Sequence, residues 1–236
     1  MTGTLFLLPA LLGDTAGVDT LSVWEIALIK EIKHYFAENE RSARRFLRKA
    51  GFTAPFEDIN IHHSDKDTPL AEQKKLLKIL LEGSDAAILP EAGCPGIADP
   101  GAVIVKLAHE AGITVVPVPG PSAIFLTLMG SGMNGQHFSF NGYLPVERSE
   151  RAKAIRELES VSAKTGYTQL FIETPYRNRV LAEDLLSTCN PRTRLCIGVN
   201  LTGENAFIRT LSIQAWQTQM PDLHKRPAVF AISAEN

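Results

Sequence analysis

The chain has 236 residues, of which 44% are hydrophobic and 21% are charged, so it is long enough and apolar enough to bury a sizeable core. Its 17 glycines and 14 prolines are close to average usage, which excludes collagen-like and low-complexity chains. With 24 basic and 26 acidic side chains the net charge is −2, so any binding of nucleic acid must come from a local basic patch.

Cysteine usage and the N-terminal segment indicate the compartment. Cys94, Cys189 and Cys196 lie far apart and form no Cys-x-x-Cys pair, which argues against a disulfide framework and against a structural zinc site. The first six residues carry no positive charge ahead of an apolar stretch, and no apolar run approaches the roughly 18 residues of a membrane span. We therefore expect a cytoplasmic protein that does not contact membranes.

The first half of the chain alternates short apolar runs with segments of helical periodicity. The apolar runs predict strands at 4–9, 34–37, 59–62, 85–90 and 114–118. Helices are predicted from a cap at Asp19 or Thr20 to about residue 32, and at 40–50, 68–82 and 99–112. Such alternation predicts an α/β domain around a parallel sheet with right-handed crossovers.

A proline-rich segment at 117–121 separates this half from the next, and it predicts two domains, 1–116 and 117–236. In the second half, helices are predicted at 122–128, 149–160 and 180–187. Strands are predicted at 138–143, 169–173, 195–199, 206–210 and 228–233. Because several of these strands follow one another without a helix, we expect an α/β domain with a mixed sheet.

Two loops rich in glycine and proline, at 91–99 and 119–123, follow predicted parallel strands. Glycine lets the backbone approach a ligand closely, and proline fixes the shape of a loop in advance. A single loop of this kind is explained by a tight turn, with Asp99 as a helix cap. Two of them at neighbouring strand ends favour a ligand pocket, because open α/β sheets bind ligands at that edge.

Two other patterns are not interpreted as sites. Gly130, Gly132 and Gly135 have the spacing of a dinucleotide-binding turn, but a predicted helix precedes them and a predicted strand follows, so they indicate a helix end and a turn. His62 and His63 lack the further ligands that a metal site needs, so no metal is expected.

A basic cluster lies on the helix predicted at 40–50. Arg41, Arg44, Arg45 and Arg48 are three or four residues apart, so they line one helix face. Such a face is either solvated or in contact with phosphates. Arg41, Arg44 and Arg45 are therefore candidate substrate-binding residues.

Four motifs in order carry a resemblance to a known family. They are EAGCPGIADPG at 91–101, VPVPGPSA at 116–123, FNGYLP at 140–145 and FIETPYR at 171–177. Through them nearly the whole chain resembles the tetrapyrrole methylase superfamily, whose members transfer methyl groups from S-adenosylmethionine. The similarity is greatest to the branch that methylates ribose 2′-oxygens in small-subunit ribosomal RNA.

This resemblance implies two α/β domains with S-adenosylmethionine in the cleft between them, a homodimer, and RNA as the substrate. The implied cofactor-binding residues are Pro9, Cys94, Ile97, Ser122, Ala123, Ile172, Leu201 and Ala228. A ribose hydroxyl must also lose its proton, and Glu38 and Glu173, at the ends of predicted strands, are candidate catalytic bases.

The chain departs from that branch at two places. The residues LPALLGD at 8–14 stand where the branch has a Pro-Thr-Pro-Ile-Gly-Asn turn, and Asn39 and Glu40 stand where it has aspartate and threonine. Both places fall on the implied substrate side of the site. Two alternatives therefore remain open: a methyltransferase of a small tetrapyrrole-like molecule, and a non-catalytic protein that binds the cofactor.

Overall fold

The computed structural model describes residues 1–234, and the chain forms two compact units. The first unit is Met1–Ser122 and the second begins at Ala123. The boundary predicted at residues 116 and 117 lies before the proline-rich segment, whereas the division between the two units follows it. Both units are α/β, and each is built on a five-stranded sheet.

The first unit has a parallel sheet, as predicted. Its strands are β1 (Thr4–Leu7), β2 (His34–Ala37), β3 (Asn60–His63), β4 (Ala86–Leu89) and β5 (Thr114–Pro117), in the order β3-β2-β4-β1-β5. All four strand pairs run parallel. Because β1 lies between β4 and β5, the loops that leave these three strands emerge side by side at the carboxyl edge.

Four helices cover the two faces of this sheet. They are α1 (Val23–Glu31), α2 (Glu40–Lys49), α3 (Leu70–Leu81) and α4 (Ala102–Glu110), and short 3-10 turns lie at Val18–Thr20 and Phe56–Asp58. Apolar side chains of α1 and α2, among them Ile29 and Leu47, pack on one face, and those of α3 and α4, among them Leu80 and Ile104, pack on the other. Burial on both faces explains why the inner strands β1, β2 and β4 are largely apolar, whereas the edge strand β3 carries Asn60, His62 and His63.

The second unit has a mixed sheet, which also confirms the prediction. Its strands are β6 (Phe138–Tyr143), β7 (Thr168–Ile172), β8 (Arg194–Val199), β9 (Phe207–Ser212) and β10 (Ala228–Ser233), in the order β6-β7-β10-β8-β9. Only β6 and β7 pair in parallel, and the other three pairs are antiparallel. Its helices are α5 (Ala123–Ser131), α6 (Arg148–Thr165), α7 (Asn178–Thr188) and the single turn α8 (Ile213–Trp216).

The start of α1 corrects one sequence prediction. Neither Asp19 nor Thr20 caps this helix; the cap is Ser22, whose Oγ accepts a hydrogen bond from the Glu25 backbone N–H at 3.0 Å. Asp19 and Thr20 lie in the preceding 3-10 turn, where the Thr20 hydroxyl donates to the Gly17 carbonyl. Several polar side chains within four residues can each cap a helix, and only the chain path selects one of them.

The glycine spacing at 130–135 is a helix end, as interpreted from the sequence. Helix α5 ends at Ser131, and Gly132 follows with φ +65°, a left-handed conformation that suits glycine. The Ser131 hydroxyl accepts from the Met133 N–H, and β6 begins shortly afterwards. Among residues 1–234, no helix combines the length and the apolar character that crossing a bilayer requires.

Candidate functional site

Three loops of the first unit are bound to one another at the carboxyl edge of its sheet. Ala10, after β1, and Gly93, after β4, form an isolated antiparallel bridge with N···O distances of 2.8 and 3.1 Å. The Cys94 thiol donates to the carbonyl of Pro121, after β5, at 3.5 Å. The two glycine- and proline-rich loops that the sequence singled out thus lie beside the loop that follows β1.

A left-handed conformation accounts for one glycine in these loops, and a close approach to Pro9 accounts for another. Gly93 has φ +72°, and a Cβ built on Gly120 would lie only 2.5 Å from the Cβ and Cγ atoms of Pro9. Pro9 is buried and Cys94 is half-buried, while the apolar side chain of Ile97, on the loop after β4, is 42% exposed. Pro9, Cys94 and Ile97, three candidate cofactor contacts, therefore lie on loops whose shape depends on glycine.

The other candidate cofactor contacts lie where the second unit begins and along its sheet. Half-buried Ser122 ends the first unit, and Ala123 begins α5. Ala123 and Ile172 pack against the same apolar cluster, on the face of the sheet that α5 covers. The side chain of Ala228 belongs to the core on the opposite face, so only its backbone can share a site with Ile172.

Leu201 follows β8 close to a tight contact between β8 and α5. A Cβ on Gly198 would lie 2.6 Å from the Thr127 Oγ1 and 3.1 Å from the Leu201 Cδ1. The buried hydroxyl oxygens of Thr127 and Thr202 have no hydrogen-bond partner within the described part of the chain. A ligand with polar groups would find unused hydrogen-bonding capacity here.

Glu38 directly follows β2 and is half-buried. Its pKa is raised above the ordinary range, first by burial and then by the negative charges of Asp99, Glu91 and Asp65, while His63 opposes the shift. No hydrogen-bond partner of its carboxylate is found within residues 1–234. A half-buried carboxylate with a raised pKa and free oxygens has the properties of a general base.

Glu173, the second candidate base, is held in an ion pair. Its Oε1 accepts from the Arg177 guanidinium at 2.7 Å and from the Thr174 backbone N–H at 2.6 Å, and its side chain is 1% exposed. These bonds fix the turn that leads from β7 into α7. The geometry therefore favours Glu38 over Glu173 as the group that takes a proton from a substrate.

Helix α2 begins at the same edge of the sheet, and Asn39 caps it. The Asn39 Oδ1 accepts from the backbone N–H groups of Arg41 and Ser42 at 2.9 and 3.2 Å. An aspartate would make the same bonds, so asparagine keeps the cap and removes one negative charge. The Ser42 hydroxyl donates to Glu91 Oε1 at 2.5 Å, which ties α2 to the loop after β4.

The arginines of α2 divide into two kinds. Arg41, Arg44 and Arg45 are exposed; Arg44 lies 2.5 Å from Glu40, and Arg45 lies 3.5 Å from Asp14. No side-chain partner of Arg41 is found in the described residues. These three side chains are available to a ligand in solution, because exposed ion pairs contribute little and exchange readily.

Arg48 serves the fold instead. Its Nη1 donates to the carbonyls of Phe52 and Ala54, both at 2.8 Å, and its guanidinium lies 4.2 Å from the centre of the Phe56 ring. This side chain holds the segment that follows α2. Its place on the predicted arginine face concealed this role, because helical periodicity does not show what packs against a face.

A groove of about 220 Å³ lies between α2 and the loops after β1 and β4. Its polar lining mixes both signs of charge and consists of Asp14, Ser42, Arg45, Lys49 and Glu91. The Lys49 ammonium donates to the Asp14 carbonyl at 2.6 Å. The groove runs from the exposed arginines of α2 (Arg41, Arg44 and Arg45, the basic face of α2) to the three bonded loops after β1, β4 and β5, which we call the loop cluster.

The two adjacent histidines of β3 face different partners. His62 Nε2 lies 3.1 Å from His34 Nδ1 with the two rings stacked, and His63 lies 3.1 Å from Asp65. Within residues 1–234, no group of three or more histidine, cysteine, aspartate or glutamate side chains is arranged to hold a metal ion.

Glu25 is a residue that the sequence analysis did not select. It lies on α1 with 0% exposure, and neither of its carboxylate oxygens has a hydrogen-bond partner in the described part of the chain. Its spacing in the sequence indicates that it is buried, because Glu25 falls on the apolar face of the helix, four residues after Leu21 and three before Leu28.

Comparison with known proteins identifies the family. The family described as tetrapyrrole (corrin/porphyrin) methylases matches residues 16–215. The ribosomal RNA small subunit methyltransferase I of Halalkalibacterium halodurans is 30% identical over 89% of this chain and 68% of that protein. The protein of the same name from Xylella fastidiosa is 29% identical over 98% of this chain and 80% of that protein.

Solved structures agree on the fold. The crystal structure of the methyltransferase CobJ matches with a TM-score of 0.63 and 16% identity, over 99% of this chain and 95% of that one. Uroporphyrin-III C-methyltransferase from Thermus thermophilus matches with a TM-score of 0.56 and 17% identity, over 99% and 93%. The family match covers well over half of the chain, which therefore belongs to the tetrapyrrole methylases and is an S-adenosylmethionine-dependent methyltransferase.

Proposed function

We propose that this methyltransferase acts on RNA and methylates a ribose 2′-oxygen of small-subunit ribosomal RNA. The observation that carries the proposal is the exposed basic face of α2, which the bond between Ser42 and Glu91 joins to the loop cluster. Relatives 29–30% identical to this chain bear the name of a ribosomal RNA methyltransferase. Guanidinium groups are suited to phosphate, which they bind through paired hydrogen bonds.

The residues of the first unit fit S-adenosylmethionine. Gly93, in a left-handed conformation, and Gly120, packed against Pro9, shape the loops; Ile97 offers an exposed apolar surface, and the buried carboxyl group of Glu25 has no hydrogen-bond partner among the described residues. When bound, this cofactor supplies an electrophilic methyl group on a sulfonium sulfur. The eight cofactor contacts expected from the sequence remain the proposed ones.

The contribution of the chain to the reaction is then orientation and proton removal. Alignment of the hydroxyl with the methyl group supplies much of the rate of an in-line transfer. The proposed phosphate contacts, Arg41, Arg44 and Arg45, hold the RNA. The Glu38 carboxylate, for which the described residues supply no hydrogen bond, takes the proton that the hydroxyl loses.

The resemblance also supports two further parts of the proposal, that the protein acts as a homodimer and that it works in the cytoplasm. A second candidate function is methylation of a small tetrapyrrole-like molecule. The carboxylates of Asp65, Glu91 and Asp99 near Glu38 favour it, because they oppose the approach of a phosphate backbone at that point. The third candidate, a protein that binds the cofactor without turnover, would leave Glu38 without a chemical role.

Labelled methyl transfer separates these candidates. The purified protein is incubated with S-adenosylmethionine carrying a labelled methyl group and with a lysate of cells that lack the protein. We expect label in small-subunit ribosomal RNA. Label confined to small molecules would support the second candidate, and cofactor binding without transfer of label would support the third.

The RNA contact is tested by reversing two charges of α2. In the double variant R44E/R45E, we expect affinity for a ribosomal RNA fragment to fall about 60-fold at 0.1 M salt. This follows because each lost phosphate contact removes about 0.9 from the slope of log K against log salt, so the slope should fall by about 2. Fluorescence anisotropy across a salt series measures both quantities.

Charge reversal on another helix of the same unit provides the control. Lys74 and Lys78 are exposed on α3, so the double variant K74E/K78E changes the net charge by the same amount. We expect it to alter affinity and salt slope much less. Unchanged RNA affinity in R44E/R45E, or an equal loss in both variants, would contradict the assignment of this face.

A further inference from the structure

Glu25 is a fully buried carboxyl group for which the fold provides no partner. Its backbone N–H bonds to the Ser22 cap, but its Oε1 and Oε2 accept no hydrogen bond from the described residues. Exclusion from water raises its pKa to about 7. A buried carboxylate without a partner costs several kcal/mol, so a residue that served only packing would be apolar here.

The side chain of Glu25 lies on the face of α1 that packs into the core of the first unit. Leu28 and Ile29 share the buried face of α1 with it and belong to the apolar cluster that includes Leu8 and Ala10, from the end of β1 and its loop. Burial, and to a smaller extent the charge of Glu25, raises the pKa of the Cys94 thiol on the loop after β4. Glu25 is thus connected, through the packing of α1 and through its charge, to the loops after β1 and β4, which carry proposed cofactor contacts.

The thiol does not satisfy this carboxyl group. Cys94 already donates its one S–H to the Pro121 carbonyl, whereas an ionised carboxylate can accept up to about four hydrogen bonds. The missing partner must bring several N–H donors and, to offset burial of the charge, a positive charge of its own. A primary ammonium group meets both requirements.

We propose that Glu25 belongs to the cofactor site and receives the ammonium group of the methionine portion of S-adenosylmethionine. The sulfonium centre carries no N–H, and the adenine amine carries no charge, so neither replaces the ammonium group as a partner. Because Glu25 is fully buried in this structure, the protein must open locally for the ammonium group to reach it. This inference relies on the cofactor-binding role of the loops around Cys94.

The proposal requires a proton to leave on binding. Near pH 7 the free protein holds Glu25 partly protonated, and an ammonium group against it would favour the ionised form. Cofactor affinity should therefore fall about tenfold for each pH unit below 7. Burial and the charge of Glu25 raise the pKa of the Cys94 thiol, so this thiol stays neutral throughout this range.

Calorimetry with two ligands tests the assignment. S-Adenosylhomocysteine keeps the ammonium group, and 5′-methylthioadenosine has the same nucleoside and sulfur but lacks the amino-acid portion. In E25Q we expect the affinity for S-adenosylhomocysteine to fall about 10- to 100-fold, which is typical for loss of a hydrogen bond to a charged group. The affinity for 5′-methylthioadenosine should change less than about twofold.

Proton release is measured on the unaltered protein, so the test does not depend on how well E25Q folds. Titrations at pH 7 in two buffers of different ionisation enthalpy should show protons leaving on binding of S-adenosylhomocysteine but not of 5′-methylthioadenosine. Equal losses for both ligands in E25Q, or no proton release from the unaltered protein, would overturn the proposal. If folded protein failed to bind S-adenosylhomocysteine at all, the cofactor assignment itself would fall.

Discussion

Methyl transfer by the E38Q variant is expected to be about 10²- to 10⁴-fold slower than by the unaltered protein, with little change in RNA affinity. Glutamine has nearly the same shape but cannot accept a proton, and removal of a general base costs about this factor. The raised pKa of Glu38 arises from burial and from neighbouring carboxylates, so kcat should rise with pH until Glu38 is ionised and then level off. Single-turnover rates across a pH series measure both the loss and the profile.

Glu91 offers a matched control for this variant. Its charge is one of the causes of the raised pKa of Glu38, so E91Q should lower that pKa and move the acid limb of the profile to lower pH. The glutamine oxygen can still accept the Ser42 hydroxyl, which donates to Glu91 in the unaltered protein. A wild-type rate in E38Q, or an acid limb that survives there, would exclude Glu38 as the base.

Replacing Asp184 with alanine is expected to destabilise the second unit by about 3–5 kcal/mol, because it leaves the buried charge of Arg151 unpaired. The Arg151 and Asp184 side chains are 5% and 3% exposed, and the closest distance in the pair is 2.6 Å. Arg151 also donates to the carbonyls of Pro145 and Val146. The pair therefore fixes the segment between β6 and α6, at the end of the FNGYLP motif.

Thermal and urea unfolding measure this cost, and a loss of 3–5 kcal/mol corresponds to a fall in Tm of roughly 10–20 °C. The exposed pair of Arg179 and Glu183, on α7 like Asp184, is the comparison. We expect E183A to change stability by no more than about 0.5 kcal/mol, since exposed ion pairs contribute little. If D184A were no less stable than E183A, the buried pair would not have this structural importance.

Most of the fold follows from local patterns. Short strand-like runs, some of which end at proline, predicted the parallel strands of the first unit, and closely spaced strands predicted the mixed sheet of the second. The ends of helices were predicted less accurately. Helix α6 was predicted to end near residue 160, but it continues to Thr165 and is followed by Gly166 in a left-handed conformation. Apolar periodicity did not indicate this last stretch, because its buried residue Ser162 is polar. The Ser162 hydroxyl accepts a hydrogen bond from the Ala234 N–H.

The sequence by itself determined the α/β class, the two sheets, the family motifs and the glycine-rich loops at strand ends, because each of these depends on residues close together in the chain. Tertiary structure decided the roles of single charged side chains, because burial and partners depend on residues far apart in the sequence. It pairs Glu173 with Arg177, uses Arg48 to hold residues 52–56, and leaves Glu38 without a bonded partner among the described residues. It also buries Glu25 without a hydrogen-bond partner among the described residues, and that environment is the basis for the proposed binding of an ammonium group.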